Sequence, residues 1–192
     1  MSIIIDDLSN VLEDRIGTIE FNTDFRVSIL FEMLMQDANV DKETKIIQAL
    51  KLYYPNLEQI TDIEKAINDI LWFYRCGKEL ANSNKKSSKK NEIKQIYSYE
   101  FDDNYIYSAF LQEYNIDLQD IEYLHWWKFK ALFDGLNKDV KIVEIMGYRA
   151  IDLSSIKDKE EKARIKKMKN LYKLPDMRTQ EQKEADFAAA FG

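Results

Sequence analysis

The sequence has little of the chemistry from which conventional sites are built. It holds one Cys and one His in 192 residues, so a single chain can form neither a disulfide nor a Cys/His zinc site. With 5 Gly and 2 Pro, it is poor in turn formers, which disfavours a barrel or sandwich of many short strands. No apolar run approaches the roughly 18 residues of a membrane span, and the N-terminal residues lack a basic signal-peptide region. We therefore expect a mainly α-helical protein that stays in the compartment where it is made.

Charge is abundant, and its sign alternates along the chain. The net charge is −7 over residues 1–80, +4 over 81–96, −6 over 97–156 and +3 over 157–192. Acidic bodies with short basic segments disfavour a general nucleic-acid binder, because such a protein takes most of its affinity from a dominant basic face. We interpret one basic helical stripe as a solvated face or as a face that meets an acidic protein, rather than as a phosphate-backbone contact; its members are Lys159, Lys162, Lys166, Lys169 and Lys173.

Hydrophobic periodicity and helix breakers divide the chain into two small helical lobes joined by a Lys/Ser-rich linker. The first lobe begins with a minor β ribbon, predicted from Ile3–Ile5 and from Ile16, Ile19 and Phe21. The predicted order is an N-terminal β ribbon plus three-helix lobe (1–80), a flexible basic linker (81–96), an aromatic-rich helical lobe (97–175) and a flexible C-terminal tail (176–192).

One predicted helix, from Leu118 to Leu136, is apolar nearly all round. Such a helix is central in its domain or buries a second face in a partner. Because neighbouring side chains on a helix point about 100° apart, we expect one of Trp126 and Trp127 in the core and the other at an interface.

The sequence offers few catalytic groups. It has no Gly-x-x-x-x-Gly-Lys phosphate loop, no Gly-x-Gly-x-x-Gly turn and no His-Glu-x-x-His motif. His125 is the one conventional acid/base candidate, but its apolar surroundings favour a structural histidine that donates to a carbonyl or carboxylate. Cys76 would need His125 beside it to act as a nucleophile, and we favour simple packing. We therefore predict no catalytic, cofactor-binding or metal-binding residue, no cofactor and no enzymatic activity.

Several aromatic segments together resemble the bacteriophage gene-product-fifteen family of Gram-positive phages and prophages. The resemblance covers most of the chain, and Asn115 departs from it where a glycine is expected. The segments that carry it are Asn22–Arg26, Trp72–Lys78, Tyr105–Phe110, Tyr114–Phe133, Ile145–Arg149 and Lys166–Lys169.

The resemblance implies a tail morphogenesis protein of long-tailed phages, with a gene between those for the tail tube and the tape measure. Tail assembly chaperones are encoded there, and their client, the tape measure protein, is a very long helical chain. We therefore expect a chaperone that binds the tape measure protein without catalysis in the cytoplasm of the bacterial host. The resemblance leaves three further partners open: the tail tube protein, the upstream tail assembly chaperone and a second copy of this chain. We expect no membrane partner and no nucleic acid.

A chaperone of this kind needs exposed apolar or aromatic helix faces and no reaction chemistry. The candidate partner-binding residues are Tyr123, Trp126, Trp127, Phe129, Phe133, Phe187 and Phe191, although at least three of the first five could simply form the core of the second lobe. Two alternatives stay open. One is a tail-completion or connector component of the virion, and the other is a hydrolase or nuclease that uses His125.

Overall fold

A computed structural model describes residues 2–79 and 95–176 of the chain. The described chain is mainly helical, as predicted, and it falls into two compact units. Unit 1 contains residues 2–79 together with Tyr123–Lys130, and unit 2 contains residues 95–122 together with Ala131–Pro175. The sequence analysis assigned Tyr123–Lys130 to the second lobe, whereas the structure packs these residues into unit 1. Most of the predicted linker (81–96) and of the predicted tail (176–192) lies outside the described residues.

Unit 1 is built from four helices, and aspartate side chains set where they begin. Each of the four is preceded by an Asp whose carboxylate accepts a backbone N–H of the first turn at 2.9 Å, which satisfies a donor that has no partner inside the helix. The helices are α1 (Leu8–Ile16), α2 (Phe25–Gln36), α3 (Lys42–Tyr53) and α4 (Ile63–Tyr74), with a short 3₁₀ helix at Leu57–Gln59.

The predicted β ribbon is wrong. Within residues 2–24 the structure has helix α1 and no strand, and Ile16 is the last residue of that helix. Leu8, Val11, Leu12 and the buried Ile16 have helical spacing. The alternating pattern that follows Ile16 led to the prediction of a strand instead. Asp7 caps the start of α1, so the local hydrogen bonds also favour a helix.

Stacked rings fill the interior of unit 1. Helix α3 packs between α2 and α4, and Phe21 lies 5.2 Å from the ring of Tyr53 and 5.1 Å from that of Phe73. Phe31 of α2 contacts Tyr53 at 5.6 Å, and the buried Ser28 hydroxyl is 2.9 Å from the Tyr53 hydroxyl. Aromatic contacts at these separations stabilise a core beyond the area they bury, so unit 1 has a complete core of its own.

Unit 2 is organised around α7, which packs against α5 and α8. Buried apolar side chains of α5 and α7 meet there, among them Ile106, Phe110, Ile142 and Ile145. The helices of unit 2 are α5 (Asp103–Tyr114), α7 (Lys141–Ala150) and α8 (Lys159–Leu171), with a short 3₁₀ helix at Leu153–Ser155. Helix α6 (Trp126–Asp134) contributes residues 126–130 to unit 1 and residues 131–134 to unit 2. None of the described helices is long and apolar enough to cross a membrane.

A turn after α5 accounts for the departure from the family pattern at Asn115; the other departure, the lysine-rich linker, lies mostly outside the described residues. Asn115 ends α5 with a left-handed backbone (φ 53°). This conformation favours glycine, and asparagine is the residue that most readily replaces it. The departure therefore keeps the helix end that a glycine would make.

Candidate functional site

The segment that holds most of the candidate partner-binding residues starts as irregular chain with an isolated β-bridge, not as a helix. Phe25 N–H donates to the Leu124 carbonyl and Trp126 N–H donates to the Thr23 carbonyl, both at 2.9 Å, and Asp24 and His125 form an isolated antiparallel bridge. The predicted helix from Leu118 to Leu136 is therefore wrong in its first half, and α6 begins at Trp126. Pairing with a stretch 100 residues away in the chain fixes residues 124–126, and local periodicity carries no information about such a partner.

Both tryptophans of this segment lie in the core, so the expectation that one would reach an interface is wrong. Each is 1% exposed. Trp126 Nε1 donates to the Tyr74 carbonyl at 2.9 Å and Trp127 Nε1 donates to the Phe73 carbonyl at 2.7 Å. The last carbonyls of a helix lack partners within the helix, and here two indoles supply them at the end of α4. The pair is an anchor for α4, not a stacking platform for a ligand.

Two of the five remaining candidate binding residues are also buried. Phe129 and Phe133 are 0% and 4% exposed; Phe129 stacks on Phe25 at 4.8 Å in unit 1, and Phe133 contacts Tyr97 at 5.1 Å in unit 2. Tyr123 is 53% exposed. Phe187 and Phe191 lie outside the described residues. Of the five rings between 123 and 133, Tyr123 is thus the one that a partner can reach in this structure.

His125 acts as the N-cap of α6. Its Nδ1 accepts the backbone N–H of Trp127 at 3.1 Å, so the ring proton of the neutral histidine lies on Nε2. Nε2 is buried and has no hydrogen-bond partner, and the ring is edge-on to Phe73 at 5.5 Å. The predicted donation to a carbonyl or carboxylate is absent within the described residues. Burial, and to a smaller extent the charge of Lys128, lowers the pKa of His125 to about 4.

The other candidate groups for reaction chemistry are not brought together into a site. Cys76 is half-buried and follows α4 in a left-handed conformation (φ 55°), where it forms part of the turn that ends this helix. The described residues include no group of three or more His, Cys, Asp or Glu side chains that could hold a metal ion. The contacts of residues 124–127 connect α6 to the start of α2 and to the end of α4. Their role is therefore structural.

A buried ion pair in unit 2 escaped the sequence analysis. Asp102 and Arg149 are 2% and 6% exposed, and their bidentate contact has N–O distances of 2.5 and 2.9 Å. Arg149 also donates to the carbonyls of Ile96 and Tyr172, and Asp102 accepts Ser98 N–H at 2.9 Å. Asp102 occupies the N-cap position of α5, but it makes no side-chain cap bond because its carboxylate is committed to Arg149. The two partners are 47 positions apart, and no local signal links them.

Exposed apolar side chains do occur on neighbouring helices of unit 1. Lys45 Nζ of α3 donates to the Met35 carbonyl at 2.8 Å, and the Tyr74 hydroxyl donates to the Glu32 carboxylate, so the ends of α2 and α4 lie beside the start of α3. We call this surface the apolar end; its members and their exposed fractions are Met35 (38%), Ile46 (41%), Ile47 (51%) and Leu71 (36%). The sequence analysis did not single out these residues, although the adjacent pair of isoleucines on a polar helix was a usable signal.

A second exposed surface is the basic side of α8. Ile165 is the buried residue of this helix, and Lys169 of the stripe is half-buried and donates to the Ile151 carbonyl. The acidic residues of α8 are confined to its first turn. We call the basic face Lys159, Lys162, Lys166 and Lys167, all of which are exposed.

Comparison with known proteins gives one match. No curated protein and no solved structure matches the chain. The sequence model of the family described as Bacteriophage Gp15 protein matches residues 4–174, which takes in both units and all eight described helices. Such membership indicates a phage structural or morphogenesis protein. The chain belongs to the Bacteriophage Gp15 protein family.

Proposed function

We propose that this protein is a tail assembly chaperone that binds the tape measure protein in the host cytoplasm and releases it without catalysing a reaction. The observation that carries the proposal is the apolar end of unit 1. Its four aliphatic side chains lie on three helices that are held in register by a complete aromatic core. Exposed apolar side chains grouped on adjacent helices are typical of sites that bind another polypeptide.

The shape of the apolar end suits a helical client. Its members lie on the exposed ends of α2, α3 and α4, and an amphipathic helix can place residues with i, i+3 and i+4 spacing on such a surface. The flexible side chain of Met35 can adapt to varied sequences, which a client of great length requires. Trp126, Trp127 and Phe129 are buried. We therefore assign these rings to the core of unit 1 and not to the contact with the client.

The surroundings of His125 support a role without catalysis. A general base needs a lone pair within hydrogen-bond reach of a substrate proton, but the Nδ1 lone pair of His125 is occupied by Trp127 N–H. The ring is 5% exposed. The tail tube protein, the upstream chaperone and a second copy of the chain remain proposed partners.

Co-expression with the tape measure protein of the same phage tests the proposal. The wild-type protein should raise the soluble yield of the client. The double variant Ile47→Glu/Leu71→Glu should weaken this effect at least about tenfold, because a carboxylate in the contact must be desolvated without a partner. A matched control is Leu111→Glu/Leu171→Glu, which puts two carboxylates at comparably exposed positions of unit 2 (42% and 67%) and should leave client binding intact.

Three outcomes would contradict the proposal. One is a client whose solubility is unchanged by the wild-type protein. Another is an equal loss in the two double variants, which would remove the apolar end from the contact. Stoichiometric copies of this protein in purified virions would instead favour a tail-completion or connector component.

A further inference from the structure

We propose that the basic face of α8 is a second docking surface and that it binds an acidic helix of another protein. This surface belongs to unit 2 and is separate from the apolar end. Its four lysines are exposed, and none of their ammonium groups has an ion-pair partner within 4.0 Å in the described chain.

The distribution of charge along α8 concentrates the positive potential. From Lys162 to Lys173 the sequence has six basic residues and no acidic one. Glu160 and Glu161 lie in the first turn, where carboxylates stabilise the positive end of the helix dipole. Asp152 is the nearby acidic neighbour, since the charges of Lys169 and Lys162 contribute to lowering its pKa after its hydrogen bonds with Ser154. Lys166 and Lys167 have no ion-pair partner among the residues that the structure describes.

The chemistry of the face favours a protein partner over nucleic acid. Its charged groups are lysines, which act as point charges, whereas bidentate phosphate recognition is the property of arginine. No aromatic side chain belongs to the face, so bases would have no stacking platform. The chain as a whole carries a net charge of −6, which repels a long polyanion.

The spacing of the lysines specifies the kind of acidic partner. Lys159, Lys162 and Lys166 recur at intervals of three and four residues, which places them along one side of a helix. A partner helix with Glu or Asp at the same intervals can pair with them as charged residues pair across two packed helices. Ala163 and Asn170 separate the lysines with small or neutral side chains, so a second helix can approach closely.

Binding to a defined probe tests the inference. The probe is a labelled helical peptide of about 20 residues with Glu at every third or fourth position, long enough to keep its helix in water, and its affinity for the full chain is measured by fluorescence anisotropy at low and moderate salt. The variant Lys159→Glu/Lys166→Glu/Lys167→Glu should weaken binding at least tenfold. The matched control Lys42→Glu/Lys51→Glu/Lys138→Glu has the same net charge and should bind as the wild type does.

The outcomes separate the alternatives. Equal weakening in the two triple variants would overturn the inference, because it would show a response to net charge alone. Tighter binding of an oligothymidylate of equal charge, or of vesicles containing phosphatidylglycerol, would also overturn it and would assign the face to nucleic acid or to a lipid surface. Circular dichroism of both variants confirms that their helix content is unchanged. The variant of the basic face alters no residue of unit 1, so failure of one proposal leaves the other intact.

Discussion

The two units use opposite chemistries for the same structural task, which is to fix a distant stretch of chain against a helical core. In unit 1, residues 124–127 are held mostly by neutral groups: backbone pairing with residues 23–25, two indole N–H groups and the ring of His125. One charged contact is a long hydrogen bond of 3.3 Å from Leu124 N–H to the Asp24 carboxylate. In unit 2, the ion pair of Asp102 and Arg149 ties the start of the unit to the ends of α7 and α8.

The difference predicts how each unit fails. A neutral group that forms a hydrogen bond costs little free energy to bury, and removal of that hydrogen bond lowers stability only modestly. A buried charge is tolerated only with its partner, and removal of one member leaves the other without compensation. We therefore expect the largest loss of stability from a single substitution in unit 2. In unit 1 we expect stability to depend on pH through His125.

The largest expected effect is the loss of the ion pair. Arg149→Met should destabilise unit 2 by about 3–5 kcal/mol, because the carboxylate of Asp102 is left buried without a cation. Hydrogen exchange at the α7 amides under native conditions measures the loss. Arg164→Met, which removes an exposed arginine of α8, is the control and should change exchange by less than about 0.5 kcal/mol.

A double variant sharpens the same comparison. Asp102→Leu/Arg149→Met replaces both charges with apolar groups, and it should recover most of the lost stability. If the double variant were as unstable as the sum of its single substitutions, then the attraction between the two charges would not be the term that matters in unit 2.

The next effect in size is the pH response of unit 1. The pKa of His125 is about 4 in the folded protein and about 6.5 when unfolded. The histidine is neutral in both states above pH 6.5, so its contribution is complete there. As the pH falls from 6.5 to 4 the unfolded chain takes up the proton first, and stability should fall by up to about 3 kcal/mol.

This response can be isolated in unit 1 because all three tryptophans, at positions 72, 126 and 127, lie in that unit. Denaturant unfolding followed by tryptophan fluorescence at a series of pH values gives the slope. His125→Asn keeps an N-cap acceptor and removes the titration, so its stability should vary less over this range. If stability fell equally with pH in the wild type and in this variant, His125 would not be the buried, neutral group that causes the pH dependence.

The smallest of the three effects concerns a single neutral bond. Trp127→Phe removes the donor to the Phe73 carbonyl and should cost unit 1 about 2 kcal/mol, from a lost hydrogen bond and a smaller ring. Trp72→Phe removes the same volume from a buried ring of α4 that makes no indole hydrogen bond within the described chain, and it should cost less. Equal losses by thermal denaturation would show that packing, and not the carbonyl bond, anchors α4.

Much of the fold followed from local signals. The three predicted helices of the first lobe correspond to α2, α3 and α4, because aspartate caps and periodic apolar residues act within a few positions. The predicted end of the helix at Leu136 lies two residues beyond the end of α6 at Asp134, and Gly135 is the local signal for that end. Local signals failed at α1, where the apolar residues fit both a helical and a strand period. They also failed at residues 118–125, because pairing with residues 23–25 fixes part of this stretch.

The candidate surfaces divide in the same way. The basic stripe of α8 was visible in the sequence, because lysines at helical spacing mark one face wherever that helix lies. The apolar end was not visible, since Met35, Ile46 and Leu71 come from three helices and only their packing brings them to one end. The aromatic string was visible, but whether its rings faced a partner or the core was not.

By itself, the sequence determined the helical class, most helix starts and ends, the basic face of α8 and the family to which the chain belongs, because these depend on residues that are close together in the chain. The tertiary structure alone decided that Trp126 and Trp127 are buried, that Arg149 finds Asp102 and that aliphatic side chains of α2, α3 and α4 share one exposed end. Burial is a property of contacts between distant residues, and each of these outcomes depended on a partner tens of positions away.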